Sequence, residues 1–458
     1  MRILVAVAGT RGDVQPAFVI CHELARAGHT VRLCAPKTFA AWAPAGFEFF
    51  PIDVDVKAVI SSSAAQKTFE AGVPSRIFRF VERVDLETEQ AFGDALVAAS
   101  EGVDAVLTHP LIADRAAAVA EYRKVPIVVF STLPLWRTRE FSPVIMGAPR
   151  LGPLNTTLHR LAVKLHWRSH GAITERLRKR LGLQAAGASF LGRAQEMAIP
   201  SLEVYSRTLC PAPSDWGAER VMTGLVRMPD RLRGAFGEQA LPEHVEQWLA
   251  GKPAPLFVTF GSMPLLDKPG LIDAIEEVCA ARDLPVIFGV GWTQVKPRSE
   301  YEPSLFVSEL NHAALLSRCV ATMHHGGAGS TAAVAEAGIP AIVCPAFVDQ
   351  PFWARRVGQL GVGVTVPYAK FSIERFRTAL DRVLDAKMQA RACELGAEIR
   401  AEDGAAHIAD AFAWSLAMAP ELVTRAVSWQ APRHVESAPL ALPRGLRGDS
   451  HAAGGPAV

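Results

Sequence analysis

The sequence holds no run that approaches the roughly 18 uninterrupted apolar residues of a spanning helix, so no transmembrane segment is expected. It has no excess of either charge: 48 Lys and Arg stand against 46 Asp and Glu, and a bulk electrostatic grip on nucleic acid is not expected. Its seven cysteines, at 21, 34, 210, 279, 319, 344 and 393, are odd in number and free of CxxC spacing. That pattern argues against a disulfide framework or a zinc site and for reduced, buried thiols in a cytoplasmic protein. The opening "MRILVAVAGTRGD" has too short an apolar run for a signal peptide. It also lacks a GxGxxG turn, and no acidic residue ends the next strand "TVRLCAP", which speaks against a nicotinamide oxidoreductase.

A chain of 458 residues, half of them hydrophobic, exceeds what one core usually supports, so two domains are expected. "RILVAVAG" reads as a strand, "TRGDVQP" as a turn, "AFVICHELARAGH" as an amphipathic helix and "TVRLCAP" as the next strand. The alternation recurs through "DAVLTHP" and "VPIVVFST", and again from "PLFVTFGSM" onward. The expected fold class is therefore α/β, with two doubly wound, Rossmann-like parallel sheets facing each other across a cleft. An N-terminal domain is expected over 1–220, a linker rich in Pro, Gly and charge over 221–250, and a C-terminal domain over 251–418. Residues 431–458 show no sustained period and are expected to form a disordered tail.

The stretch "MHHGGAGSTAAVAEAG" places glycines between a strand and an Ala-rich helix. The first N–H groups of such a helix have no intrahelical partner and carry the positive end of its dipole, so a phosphate or diphosphate is the natural guest. Ser330 and Thr331 add hydroxyls, and His325 can present a ring N–H to the same anion. About 20 residues on, after the apolar run "IPAIVCPAF", Asp349 and Gln350 close a second strand. That pair suits a polyol, and a sugar beside a diphosphate makes a nucleotide sugar. Each piece also has a plain structural reading, as a capped strand-to-helix turn and as a helix start with Pro at its first turn.

Asp13, in "GTRGDVQP", lies at the end of the first strand and faces the expected cleft, as Ser262 does in the partner domain. It is placed to take a proton from an acceptor hydroxyl, or to cap the first helix. The tripeptide "DVD" at 53–55 lies far in sequence from the donor turns and is not taken as a metal site; no metal is expected. Residues 130–200 carry Trp136, Phe141, Met146 and Trp167 among several Arg and Lys. An apolar acceptor pocket under a helical lid, a basic amphipathic helix over 155–181 resting on an anionic membrane, and a plain helix pair all fit this composition. His159, His166 and His170 follow no metal-ligand spacing and read as helix-face residues.

Taken in order, "GTRGDVQP", "FGSM", "HHGGAGST" and "DQPFWARRV" resemble the family 1 nucleotide-sugar glycosyltransferases of the GT-B fold, over residues 1–50 and 250–415. The likeness is to bacterial natural-product enzymes and to sterol and lipid glucosyltransferases. It implies that Asp13 is the general base, that Ser262, His325, Gly327, Gly329, Ser330 and Thr331 hold the donor diphosphate, and that Asp349 and Gln350 bind the donor sugar. It further implies a nucleobase pocket formed by Val307 and Leu310, with Trp292 either there or in the core, and His312 as a pocket or cap residue. The implied activity is inverting, metal-independent transfer of glucose or a deoxysugar from a UDP- or dTDP-sugar to a hydroxyl of a lipophilic small molecule or lipid. The nucleotide sugar is a co-substrate and no cofactor is implied. A nucleotide-sugar epimerase and a non-catalytic partner of an active transferase are the alternatives; the joint presence of Asp13, His325, Asp349 and Gln350 weighs against a scaffold.

Overall fold

The computed structural model describes residues 1–43, 48–71, 74–147, 149–236, 240–261, 263, 268–291, 304–308 and 310–418. Among the described residues thirteen strands form two all-parallel sheets. The first holds β1 (Arg2–Ala6), β2 (Thr30–Pro36), β3 (Glu48–Ile52), β4 (Ala105–Thr108), β5 (Ile127–Ser131), β6 (Ser201–Glu203) and β7 (Arg220–Met222), in the order β3-β2-β1-β4-β5-β6-β7. The second holds β8 (Leu256–Thr259), β9 (Val286–Gly289), β10 (Ser304–Val307), β11 (Ala321–His324), β12 (Ala341–Val343) and β13 (Gly363–Thr365), in the order β10-β9-β8-β11-β12-β13. Strand order reverses between β1 and β4, and again between β8 and β11. Open α/β sheets bind ligands in the crevice beyond the carboxyl ends of the strands at such a switch point.

These strands are near-continuous apolar runs because helices cover both faces of each sheet. Along β1 and its extension, Ile3, Val5 and Val7 enter one core while Leu4, Ala6 and Ala8 enter the other, as the two-residue period of a strand requires. Phe257 of β8 faces one core of the second sheet; Leu256, Val258 and the following Phe260 face its counterpart.

The first turn departs from expectation. Helix α1 spans Arg11–Arg26, so "RGDVQP" is helical and Pro16 lies inside it. The helix starts early because Asp13, its third residue, reaches back to accept from the Thr10 backbone N–H at 2.9 Å. Pro16 then removes only the ladder bond to the Gly12 carbonyl. The expected domain boundaries also shift. Strand β7 crosses the expected end at residue 220, and α6 (Ile408–Met418) returns to the first domain. Its Ile408, Ala411, Phe412 and Trp414 are buried with Ile3, Phe18 and Leu202, so residues 408–418 belong by packing to the first domain. A helix this apolar must bury itself, and the face it covers is the α1 side of the first sheet. The tail expected over 431–458 lies outside the described residues.

Two helices of the first domain stand over its strand ends: α2 (Pro74–Glu87) and α3 (Leu154–Arg180). Helix α3 is one continuous helix across the stretch 155–181, where a helix pair is the plain alternative, and is bounded by Pro153 and Gly182. In the second domain α4 (Ala328–Ala337) follows β11, and α5 (Gln350–Gln359) follows β12.

Candidate active site

A cavity of about 2340 Å³ opens between the two sheets and is lined from both domains. Asp13 enters it from the first domain with a side chain 23% exposed. Its Oδ2 accepts from Thr10, so it does take part in capping; its Oδ1 stands 3.7 Å from Nε2 of His109. Burial raises the Asp13 carboxyl to about 7, opposed by the Thr10 hydrogen bonds and reinforced by the charge of Asp349 across the cleft. A carboxylate poised there is matched to proton abstraction near neutral pH.

His109 is a site residue that sequence reasoning missed. It follows β4, the other switch-point strand, and the register Ala6↔Thr108 sets it beside the chain leading to Asp13. Its Nε2 is also 3.5 Å from the Thr132 hydroxyl, and its buried Nδ1 has no hydrogen-bond partner. Burial pushes its imidazole down to about 3, which keeps it neutral. The available signal was positional: "LTHP" ends an apolar strand whose neighbour carries Asp13.

On the opposite wall, His324 ends β11 and is wholly buried; its Nδ1 accepts from the Gly326 N–H at 3.1 Å. His325 lines the cavity, and burial pushes it down to about 4. A neutral imidazole there can donate a hydrogen bond to an anion without carrying a charge of its own. The turn needs its glycines. A Cβ at Gly327 would stand 2.6 Å from the His325 Nε2, and one at Gly326, where φ is +89°, would stand 2.6 Å from the Val343 Cγ1. Gly327, Gly329 and Ser330 line the cavity at the start of α4. Thr331 does not: it is 1% exposed, its hydroxyl buried without a hydrogen-bond partner, because one helical step turns it about 100° from Ser330.

Asp349 precedes α5 without capping it. Its Oδ2 instead reaches across to accept from the Ala328 N–H at the start of α4, at 3.2 Å, and from the Trp353 indole at 3.1 Å. Burial raises this carboxyl to about 6. Gln350 is 4% exposed, and its Oε1 accepts from the backbone N–H groups of Ala346 and Phe347 at 2.8 and 3.2 Å. That use of the oxygen shapes the loop and leaves the amide NH₂ as its donor group. Val348, immediately before, has φ +55°, an outlier for a β-branched residue of the kind that gathers at ligand-binding sites.

Val307 and Leu310 line the far end of the cavity with His312, which burial pushes down to about 4, aided by the charge of Arg11 across the cleft. Asn311, not His312, caps the following helix, accepting from the Ala314 N–H at 3.1 Å. Ser262 and Trp292 lie outside the described residues.

The first-domain end of the cavity is walled by Ile77 and Phe80 of α2 and by Leu161 and Leu165 of α3. Of the residues expected there, Trp136 lines the wall, its indole donating to Glu203 Oε1 at 2.7 Å beneath the Arg220 guanidinium. Met146 lines the rim, 49% exposed. Phe141 does not reach the cavity; its ring packs 5.6 Å from that of Phe352 and ties the domains together. His166 and His170 lie 3.6 and 3.7 Å from Asp114 and Asp85, and His159 bonds the Phe141 carbonyl. Asp53 pairs with Lys37, and Asp55 caps the helix after β3. Among the described residues no group of three or more His, Cys, Asp or Glu is arranged to hold a metal ion, and no helix is long and apolar enough to cross a membrane.

Comparison with known proteins matches residues 3–142 to the glycosyltransferase family 28 N-terminal domain. Residues 305–413 match the erythromycin biosynthesis protein CIII-like C-terminal domain. The chain is 30% identical over 426 residues to sterol 3-beta-glucosyltransferase UGT80A2 of Arabidopsis thaliana; the match covers 90% of this chain and 65% of the plant protein. Among solved structures, the glycotransferase of kitacinnamycin superposes with a TM-score of 0.67 at 21% identity, covering 91% of this chain and 99% of that one. The glycosyltransferase VinC, in complex with dTDP, superposes with a TM-score of 0.59 at 18% identity, covering 93% of this chain and 100% of that one. At such identities these likenesses speak for the fold.

Proposed function

We propose that this chain, which belongs to the glycosyltransferases of the GT-B fold, is an inverting enzyme that moves a sugar from a UDP- or dTDP-sugar to a hydroxyl of a lipophilic small molecule or lipid. The observation that carries the reading is one cavity in which a carboxylate near pKa 7 from the first domain faces a glycine-opened helix N-terminus from the second. Asp13 takes the acceptor proton as the acceptor oxygen attacks the anomeric carbon from the side opposite the diphosphate. The C–O bond to the diphosphate breaks and the configuration inverts.

The charge that develops on the diphosphate meets the N-terminus of α4 beyond the Ala328 N–H that Asp349 holds, the Ser330 hydroxyl and the neutral His325 ring, donors already in place before reaction. This donor set asks for no metal. Asp349 and Gln350, at the same end of the cavity, suit the sugar hydroxyls, and Val307 and Leu310 suit the face of a pyrimidine.

The apolar wall between α2 and α3 supports a lipophilic acceptor. Along α3, Leu154, Leu161 and Leu165 are 61%, 49% and 53% exposed, flanked by exposed Arg160, Lys164 and Arg168, so the rim of the apolar wall is open to solvent. That combination suits peripheral contact with an anionic cytoplasmic membrane face. Thermal melting with UDP, dTDP, GDP and NAD tests the donor assignment. A ligand at about 100 times its dissociation constant adds roughly 2.7 kcal/mol, so UDP or dTDP is expected to raise Tm. A rise with NAD alone overturns the reading.

A further inference from the structure

We propose that His109 is the positioning residue for Asp13: its Nε2–H faces Oδ1 while the Thr10 backbone N–H holds Oδ2, so the carboxylate is fixed with a lone pair on each oxygen left for the cavity. The inference rests on the assignment of Asp13 as the base.

His109 is 3% exposed and its ring is wedged against Phe130, with centroids 5.4 Å apart. It therefore has little freedom to turn away. Its Nε2 stands 3.5 Å from the Thr132 hydroxyl, the outer edge of hydrogen-bond reach, and 3.7 Å from Asp13 Oδ1, just beyond it. Catalytic hydrogen bonds often stand long in the free enzyme and tighten in the complex. The buried Nδ1 has no partner, so nothing on that side competes for the proton, and an Nε2–H tautomer serves both oxygens.

A donor that stays neutral favours the ionised form of its acceptor without adding a charge that would trap the proton once taken. Other groups face Asp13. Thr132 follows β5, Asp349 acts from across the cleft to raise it, and Arg11, on the same helix, is turned to Gln15 and the Trp42 ring. His109 is the N–H donor that the first sheet itself supplies from its switch-point strand. Any acceptor hydroxyl must approach the carboxylate edge that His109 and Thr10 leave open.

The test reads Asp13 directly. Full-length protein labelled with [¹³C]carboxyl aspartate is titrated by NMR, with Asp13→Asn identifying the Asp13 signal. His109→Leu removes the donor at similar volume, His109→Met does so with a more adaptable side chain should the leucine variant not fold, and His109→Gln keeps an N–H. The Asp13 carboxyl is expected to titrate about one unit higher in the donor-free variants, and close to wild type in His109→Gln. With a UDP- or dTDP-sugar, the acid limb of kcat/KM is expected to shift the same way, with kcat lowered about tenfold and the donor KM unchanged.

An unmoved Asp13 signal in the donor-free variants overturns the proposal, as does an equal shift in His109→Gln. If the signal moves as expected but no nucleotide sugar is turned over, the transferase reading fails while the positioning of Asp13 by His109 stands.

Discussion

The two walls of the cavity are built in different ways. The wall proposed to hold the donor is mostly backbone: a helix N-terminus, a glycine turn and two adjacent polar residues, all within residues 325–350. The wall proposed to hold the acceptor is mostly side chain, assembled from α2, α3 and the segment around Trp136. Backbone chemistry is fixed by local sequence, because φ, ψ and helix ends follow from Gly, Ser and Pro positions. Side-chain walls depend on which helices pack together, so they vary more freely and leave a weaker local signature. A conserved anion can meet the first wall while different acceptors meet the second.

The largest expected effect falls at the seam between the walls. Asp13→Asn should lower kcat by roughly 10² or more while the Tm rise caused by UDP or dTDP persists. The same substitution should raise stability in a pH-dependent way. The unfolded carboxyl titrates near 3.8 and the folded one at about 7, so the native state holds a proton that the unfolded state has released over that interval. The stability contributed by this group is full below pH 3.8 and lost as pH rises through 7. Calorimetry should therefore find Asp13→Asn no more stable than wild type at pH 4 and clearly more stable at pH 8. In the wild type, kcat/KM should rise with pH through about 7 as the base ionises.

Next come the donor-wall substitutions. His325→Ala removes a donor aimed at developing charge and should cost roughly 10² in kcat. Gly327→Ala pushes a methyl against the His325 ring, 2.6 Å from its Nε2, and should weaken nucleotide binding about tenfold by calorimetric titration, with kcat less affected. If both changes alter only the acceptor KM, the division between the walls is wrong.

The acceptor-wall effects should be smaller and confined to the acceptor. Leu161→Ser with Leu165→Ser should raise the KM of a lipophilic acceptor about fivefold, and weaken sedimentation with anionic vesicles, while leaving nucleotide affinity alone. Phe141→Ala sharpens the contrast: its ring packs on Phe352, away from the cavity. It should lower Tm by several degrees and leave the acceptor KM within about twofold.

Much of this architecture could be read in the sequence. The apolar strand runs and their alternation with helices set out two parallel sheets, and "HHGGAGST" and "DQP" stand at the carboxyl ends of two neighbouring strands, as expected. Thr331 is buried where the sequence suggests a ligand hydroxyl, because a Ser-Thr pair looks alike in sequence whereas adjacent helix positions point about 100° apart. Composition alone points Phe141 into the pocket, and an aromatic serves an interdomain contact equally well. His109 went unremarked because one histidine after a strand carries no motif; its role rests on the strand beside it.

The sequence by itself determined what depends on neighbours along the chain: strand and helix identity, the glycine turn, and the early start of α1, whose Asp13 reaches back only three residues. Tertiary structure alone decided what depends on neighbours in space. It placed Asp349 on the α4 N-terminus, His109 beside Asp13, and α6 back on the first sheet. It also set the acid strength of Asp13 and Asp349, because desolvation is a property of the surroundings that close over a group and not of the residues that flank it.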